Sequence, residues 1–398
     1  MRIRICLVVP CFAALTAGAE PLYTLTILPE WLQASAINNA GQMTGVMPVP
    51  GGSHAFLFTN GDVRDLGALG GTRSFGYALS DNGMVTGDVA PANRPGHAFL
   101  YAGGTMRDLG TLPGGSSSIG LGVNDTGQVT GSATTAADRT HAILAGYGGM
   151  RDLGTLGGDV SYGIGINDAG HVVGASTFGG DASRYHAFVY RDGVMTDLGD
   201  FGGAASFAQG INDRGQVIGA VVDTAQVAHS FLYTDGTVTM LGDFGGRYTG
   251  TWDINNLGQV VGYSTFDDDI DSRHGFLYTD GRLLDLNALV DPALGWTVAT
   301  ALGINDSRQI LGYACRTSDV CRPVRLDPIT PPPVPEPGAP TMLLTGVILG
   351  LGAMTAKKNR TGSDKRPVPK RRYLKSAQPP AHPHRLPAPP SGSANKQC

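Results

Sequence analysis

The chain has 398 residues, 41% of them apolar and 59 of them Gly, which is too long for one small core and too Gly-rich for a helical protein. Its net charge of −4 conceals a division: residues 20–337 hold 16 Arg, no Lys and 32 acidic residues (net −16), whereas residues 357–398 hold 6 Lys, 5 Arg and one Asp (net +10). An acidic, Lys-free body repels phosphate backbones, which excludes nucleic acid as its partner.

The first segment has Arg2 and Arg4, an apolar run from Ile5 to Leu15, and the small residues Ala17-Gly18-Ala19 before Glu20. This pattern predicts a secretory signal peptide over residues 1–19, cut after Ala19. The run is too short to cross a bilayer comfortably, and the "LVVP" before Cys11 lacks the small residues of a lipid-attachment signal. Cys6 and Cys11 would leave with the signal.

From about residue 22 to 328 the sequence repeats itself. A His-containing motif begins at His54, His97, His141, His186, His229 and His274, at intervals of 43, 44, 45, 43 and 45 residues. A second landmark, "INDAGHVVG" at 166–174, recurs in six other variants, from "INNAGQMTG" to "INDSRQILG", which makes seven units. Repeats of this length are the mark of solenoids and propellers. In the fourth copy "HAFVY" and "VMTDLG" flank Asp192-Gly193, the two-residue connection that favours a tight hairpin because both residues accept positive φ. "SYGIGIN" and "HVVGAS" are joined through Asp168-Ala169-Gly170, a type I turn closed by a left-handed Gly. Four antiparallel strands in about 43 residues make one propeller blade. The fold class is therefore all-β, a seven-bladed β-propeller of four-stranded antiparallel blades over residues 20–330.

The phase of the ends predicts closure. The repeat region starts with "YTLTIL" (23–28), equivalent to the "MTDLG" strand, and finishes with "RPVRL" (322–326), equivalent to "HAFVY". The seventh unit thus lacks its fourth strand, which the first can supply, leaving no open edge. An open solenoid would need distinct polar caps. The residues two and four before the repeated Asn are Gly or Ala in six copies, for example Gly163 and Gly165, and Thr251 and Asp253 in the sixth. A strand face stripped of side chains belongs where backbones approach closely, nearest the axis.

One His per blade cannot converge on a single metal ion, whose ligands must lie within about 2.0–2.1 Å of it. Hairpin register offers another partner: with Asp192-Gly193 as the turn, Phe188 faces Asp197 and His186 faces Gly199, so His186 and Asp197 are diagonal neighbours. The same spacing pairs His54 with Asp65, His97 with Asp108, His141 with Asp152 and His274 with Asp285, while His229 meets Met240 where the Asp would be. A structural His–Asp bond follows, not a metal or catalytic site. "FDDDIDSR" gathers Asp267, Asp268, Asp269 and Asp271, the candidate calcium ligands of the chain; their spacing lacks the required Gly and terminal Glu, so the reading is a solvated acidic loop. Cys315 and Cys321 flank the last inter-strand loop as disulfide candidates for an exported protein. No catalytic constellation is legible. Asp253, charged on an otherwise bare inner face, is the first suspect only if the chain is a hydrolase. No cofactor is implied.

The repeat unit resembles the HAF repeat of bacterial extracellular proteins, with "HAF" literal at 54–56, 97–99 and 186–188 and followed by "DLG", "GG" and the "IN…G…VVG" tract. That resemblance covers about residues 22–328 and implies an exported repeat protein without a defined activity.

Beyond the repeats, residues 331–337 form a Pro-rich spacer, residues 338–356 are uncharged and mostly apolar, and Lys357, Lys358 and Arg360 follow at once. Nineteen such residues with a basic flank read as one transmembrane helix with its C-terminal side in the cytoplasm. "VPEP" with Pro335, Glu336 and Pro337, then the span and the basic cluster, resembles the PEP-CTERM sorting signal. The resemblance implies an exosortase-type processing enzyme as partner, and cells that make extracellular polysaccharide. Family members stop after the basic cluster; this chain continues through a Pro-rich basic stretch, residues 357–398, whose composition predicts disorder. The sequence thus points to an exported, envelope-anchored, non-enzymatic module that binds surface proteins or polysaccharide through loops on one ring face. The alternative is a propeller hydrolase or lyase acting on polysaccharide.

Overall fold

A computed structural model describes residues 22–90, 95–179, 181–317 and 320–329, with the backbone alone at 181–183. The signal peptide, the Pro335-Glu336-Pro337 motif, the span at 338–356 and the basic tail lie outside the described residues. Among the described residues no helix is long and apolar enough to cross a membrane.

The described chain is built of short antiparallel strands and three single-turn 3₁₀ segments. The fourth repeat shows the unit. Gly157–Ile166, Val172–Phe178, Asp181–Arg191 and Val194–Gly199 pair in that order as one four-stranded sheet. Asp192 and Gly193 both take positive φ, 51° and 85°, the geometry that suits the twist of a two-residue hairpin. Gly170, at φ 79°, closes the turn after the first strand. Other repeats follow the same order, and a single parallel bridge, Ser53 to Arg73, joins two such sets into one eight-stranded sheet.

The Phe of the "HAF"-type stretch cores each sheet that has one, with Ile143 and Val324 in the same place in the other two sheets. Phe56, Phe99, Phe188, Phe231 and Phe276 are fully buried, each stabilising the fold by about 1.5–3 kcal/mol. Each lies opposite a Gly in the ladder, as Phe188 does opposite Gly174. A Cβ at Gly174 would meet both the Tyr162 carbonyl and the Phe188 ring, so the Gly makes the room that the aromatic ring fills.

The strand that ends at the Asn-containing turn (Ser80 in the second repeat) leads each repeat's set of four, and consecutive ones, from Gln33–Ile37 to Thr297–Ile304, touch in a circuit that returns to the first. Close approach explains their small residues. A Cβ added at Gly163 would overlap Thr130 Oγ1 of the preceding sheet, and one at Gly165 would crowd Gly210 of the following one. The circuit is shut at the chain ends. Tyr23–Ile27 pairs antiparallel with Val320–Pro328, Leu25 opposite Leu326, so the last sheet takes its outer strand from the start of the repeats. Sheets arranged radially about an axis and closed by such a clasp make this a β-propeller.

Candidate functional site

The inner ends of the sheets enclose a cavity of about 290 Å³ on the axis. Its mouth is made by the turns that follow the inner strands. Asn38, Asn124, Asn167, Asn212, Asn255 and Asn305 each donate Nδ2–H to a main-chain carbonyl of the next repeat at 2.9–3.1 Å. The link from Asn305 to Asn38 O completes the round across 267 residues of sequence. Ser80 interrupts the series in the second repeat. Each Asn also folds its own turn, as when Asn124 Oδ1 accepts from the Gln128 amide at 2.9 Å.

The next residue of each turn forms a second ring. Asp81, Asp125, Asp168, Asp213 and Asp306, together with Asn39 and Asn256, each accept through Oδ1 a backbone N–H of the preceding repeat at 2.6–3.1 Å. The two Asn residues also bridge carboxylates: Asn39 Nδ2 donates to Asp81 Oδ2 at 2.6 Å and Asn256 Nδ2 to Asp213 Oδ2 at 2.8 Å. Burial, reinforced by the nearby Asp213, Asp125 and Asp81 charges, raises the Asp168 carboxyl above the ordinary range despite its backbone hydrogen bond.

Deeper in, every inner strand carries a β-bulge that interrupts its pairing. The bulged residues line the cavity, and unlike their Gly and Ala neighbours they differ from repeat to repeat. Ser35, Tyr77, Gln209 and Trp252 bring hydroxyl, aromatic and amide groups, whereas Leu121, Ile164 and Leu302 bring aliphatic ones. Bulges commonly re-aim side chains beside functional sites.

Asp253 sits in the same cavity. Its Oδ1 accepts from the Ile254 amide at 2.8 Å and its Oδ2 from Ile304 of the last repeat at 2.9 Å. Desolvation pushes its carboxyl up to about 7, the Asp306 and Asp81 charges add to this, and the two amides oppose it.

The other residues singled out by the sequence lie away from the axis, on the sheets and their connecting loops. His54, His97, His141, His186 and His274 place Nδ1 at 2.8–3.1 Å from Asp65, Asp108, Asp152, Asp197 and Asp285. The register differs in detail from the expectation: a bulge puts Ala187, not His186, opposite Gly199. The same carboxylate accepts the Gly199 amide at 2.7 Å, so each pair also fixes the "DLG" turn. His229, opposite the Met240 strand, turns its Nε2 to Asp223 at 3.2 Å. Cys315 and Cys321 face each other across two strands and are joined by a disulfide.

Asp267, Asp268, Asp269 and Asp271 share one loop but do not converge. Asp267 Oδ1 accepts from the Ser272 hydroxyl at 2.6 Å and Asp269 caps the 3₁₀ turn Ile270–Ser272. The Ser272 bond holds the Asp267 carboxyl below its ordinary range. Among the described residues no group of three or more His, Cys, Asp or Glu side chains is placed to hold a metal ion.

Two functional features escape the single-repeat reading: the interlocked Asn and Asp rings, and the bulged wall. The recurrence of a polar Asn at a strand end in six copies was the available signal for the first. A second stitch was also missed. Ser74, Ser118, Ser161 and Ser206 each accept an amide of the preceding repeat, as Ser206 Oγ does from Ala187 at 2.8 Å.

Architecture and axial cavity together define a repeat β-propeller. No family model matches the chain. No curated protein matches it either. Solved structures do resemble it: the acylaminoacyl peptidase of Pyrococcus horikoshii at 11% identity and TM-score 0.51, over 75% of this chain and 51% of that one; a prolyl endopeptidase at 11% and 0.51, over 78% and 51%; and a Mycobacterium tuberculosis puromycin-hydrolyzing peptidase at 12% and 0.49, over 77% and 55%. The chain thus spans about half the length of these neighbours, and at such identity the likeness concerns the fold alone.

Proposed function

We propose that the chain is an exported, envelope-anchored, non-enzymatic binding or scaffold module. Its working part is a seven-bladed propeller at residues 20–330, held at the cell surface by a transmembrane segment at 338–356. The Pro335-Glu336-Pro337 motif, by its resemblance to a sorting signal, presents it to an exosortase-type processing enzyme. Partners are extracellular polysaccharide or surface proteins, met by loops on one face of the ring.

The observation that supports this reading best is the use to which the repeats put their reactive side-chain types. The imidazoles are tied to carboxylates that fix turns, and the Asn and Ser groups are tied to neighbouring main chain. Repeated chemistry here serves closure. The test is a glycan array probed with residues 20–330, followed by incubation with any glycan retained. Retention without shortened products is expected; product release abolished by Asp253→Asn would replace this reading with the hydrolase or lyase one. That second reading draws its support from Asp253, a carboxyl near 7 inside a cavity, where a general acid or base would work at neutral pH.

A further inference from the structure

The ring around the axial mouth uses an oxygen atom at each step, and an amide oxygen serves as well as a carboxylate. Asn256 Oδ1 accepts the Asp213 amide at 2.9 Å and Asn39 Oδ1 accepts the Asp306 amide at 2.6 Å, the job done elsewhere by Asp. Five of the members are nevertheless Asp, and Asp253 adds a further carboxylate inside the same cavity. Asp81, Asp213 and Asp306 also accept an Asn Nδ2–H through Oδ2, but Asp125 and Asp168 use Oδ1 alone, so closure does not call for their charge. Burial first, and then repulsion from Asp213, Asp125 and Asp81, raises the Asp168 carboxyl. Among the described residues that line the cavity there is no Lys, Arg or His to compensate these carboxylates. A pocket walled in this way concentrates negative potential on the axis.

The cavity's shape then selects among cations. The Oδ1 atoms are tied to backbone amides of successive repeats, and no group of His, Cys, Asp or Glu among the described residues converges to hold a metal ion. The lining also includes the half-buried Trp252 and Tyr77 at bulged positions, with Gln209 and Ser35 in the same cavity; the Trp252 ring packs on Tyr263 and the Tyr77 ring on Phe75. Aromatic residues in a cavity rimmed by carboxylates suit an organic cation.

We infer that the axial cavity is a binding site for a small organic cation bearing a primary ammonium or guanidinium group, admitted through the Asp/Asn ring and seated against Trp252 and Tyr77. This places a ligand on the axis, not on the outer loops, and it stands whether or not those loops bind glycan.

The test is calorimetric titration of the full chain in nonionic detergent with 1,4-diaminobutane. Parallel arms use uncharged 1,4-butanediol, calcium chloride, and a blocked pentapeptide with one central Lys. One saturable diamine site per chain is expected, weakened by salt, with the diol silent and calcium not competing. Asp125→Asn/Asp168→Asn keeps every ring acceptor, since each uses Oδ1 alone, and should weaken the diamine about tenfold. Should that variant lose its strand circular dichroism, Asp168→Asn alone should still weaken binding by roughly threefold. Trp252→Leu should weaken it several-fold with the ring charge intact. Binding of the peptide as well as the diamine assigns the source to a protein side chain, and binding of the diamine alone to a free amine. Equal affinity in the charge-neutralised variant, displacement by calcium, or no saturable amine binding overturns the inference.

Discussion

His186 and Asp197 show how one repeated pair sets local structure. The imidazole Nδ1 lies 2.9 Å from Asp197 Oδ2, and Asp197 Oδ1 accepts the Gly199 amide at 2.7 Å, so the carboxylate joins a strand to the turn that leaves the next. Removing it orphans the Gly199 amide and one nitrogen of a His that is only 5% exposed. Asp197→Ala should therefore cost about 1–3 kcal/mol in a denaturant titration. The same change at Asp223, whose His229 is far more exposed, should cost less than about 1 kcal/mol. The pairing was legible because its eleven-residue spacing recurs, whereas the register shift beside Ala187 is invisible in the pattern of residue types. Nor could the spacing reveal that His229 uses Asp223, because that contact depends on a neighbouring loop.

Asp253 makes the second residue-scale prediction. Its folded value near 7 lies above the unfolded value of about 3.9, so between these the folded chain holds the proton more tightly. Stability from this group is fully present below about pH 4 and lost as pH rises through 7. Asp253→Asn, which cannot ionise, should flatten that slope. It should unfold close to wild type at pH 4 and be more stable by ~2 kcal/mol at pH 8, the shift being discounted because the cavity admits water. A variant whose urea midpoint tracked wild type at both pH values would show that the carboxyl titrates normally.

Among the elements, the final hairpin is the one on which the clasp docks. Ile310–Thr317 and Val320–Pro328 pair with each other, and the second of them also receives Tyr23–Ile27. The Cys315–Cys321 disulfide staples the far end of that hairpin and so fixes the strand on which the clasp docks. Cys321→Ser should lower stability by about 2 kcal/mol, and reducing agent should lower wild type by a similar amount while leaving the variant unchanged. Element-level features were the most legible part of the sequence. Asp192-Gly193 specified a hairpin and the Gly163/Gly165 face specified the innermost strand, because tight turns and close backbone approach each demand particular residue types. The bulges at Ser35 or Trp252 were not legible, since nothing in a run of alternating residues marks which one steps out of the ladder.

For the whole molecule, closure decides what the repeats can do. No single repeat forms the Asn ring, the Asp/Asn ring or the axial cavity; each needs the last repeat brought against the first, as the Asn305 bond to Asn38 O shows. That is why the axial site was hidden from residue-by-residue reading while the strands that build it were plain. The sequence phase of "YTLTIL" and "RPVRL" did point to the clasp, for an unpaired outer strand at one end and an unpaired edge at the other must find each other or leave an exposed edge. The most direct measurement of closure is an engineered cross-link at the clasp. Thr24 lies opposite Asp327 in the ladder, 303 residues apart in sequence. Thr24→Cys with Asp327→Cys, oxidised at low protein concentration and mapped by mass spectrometry of its peptides, should give an intramolecular disulfide between these positions in nearly every molecule. A chain left unlinked, or linked only between molecules, would contradict the closed ring and everything placed on its axis.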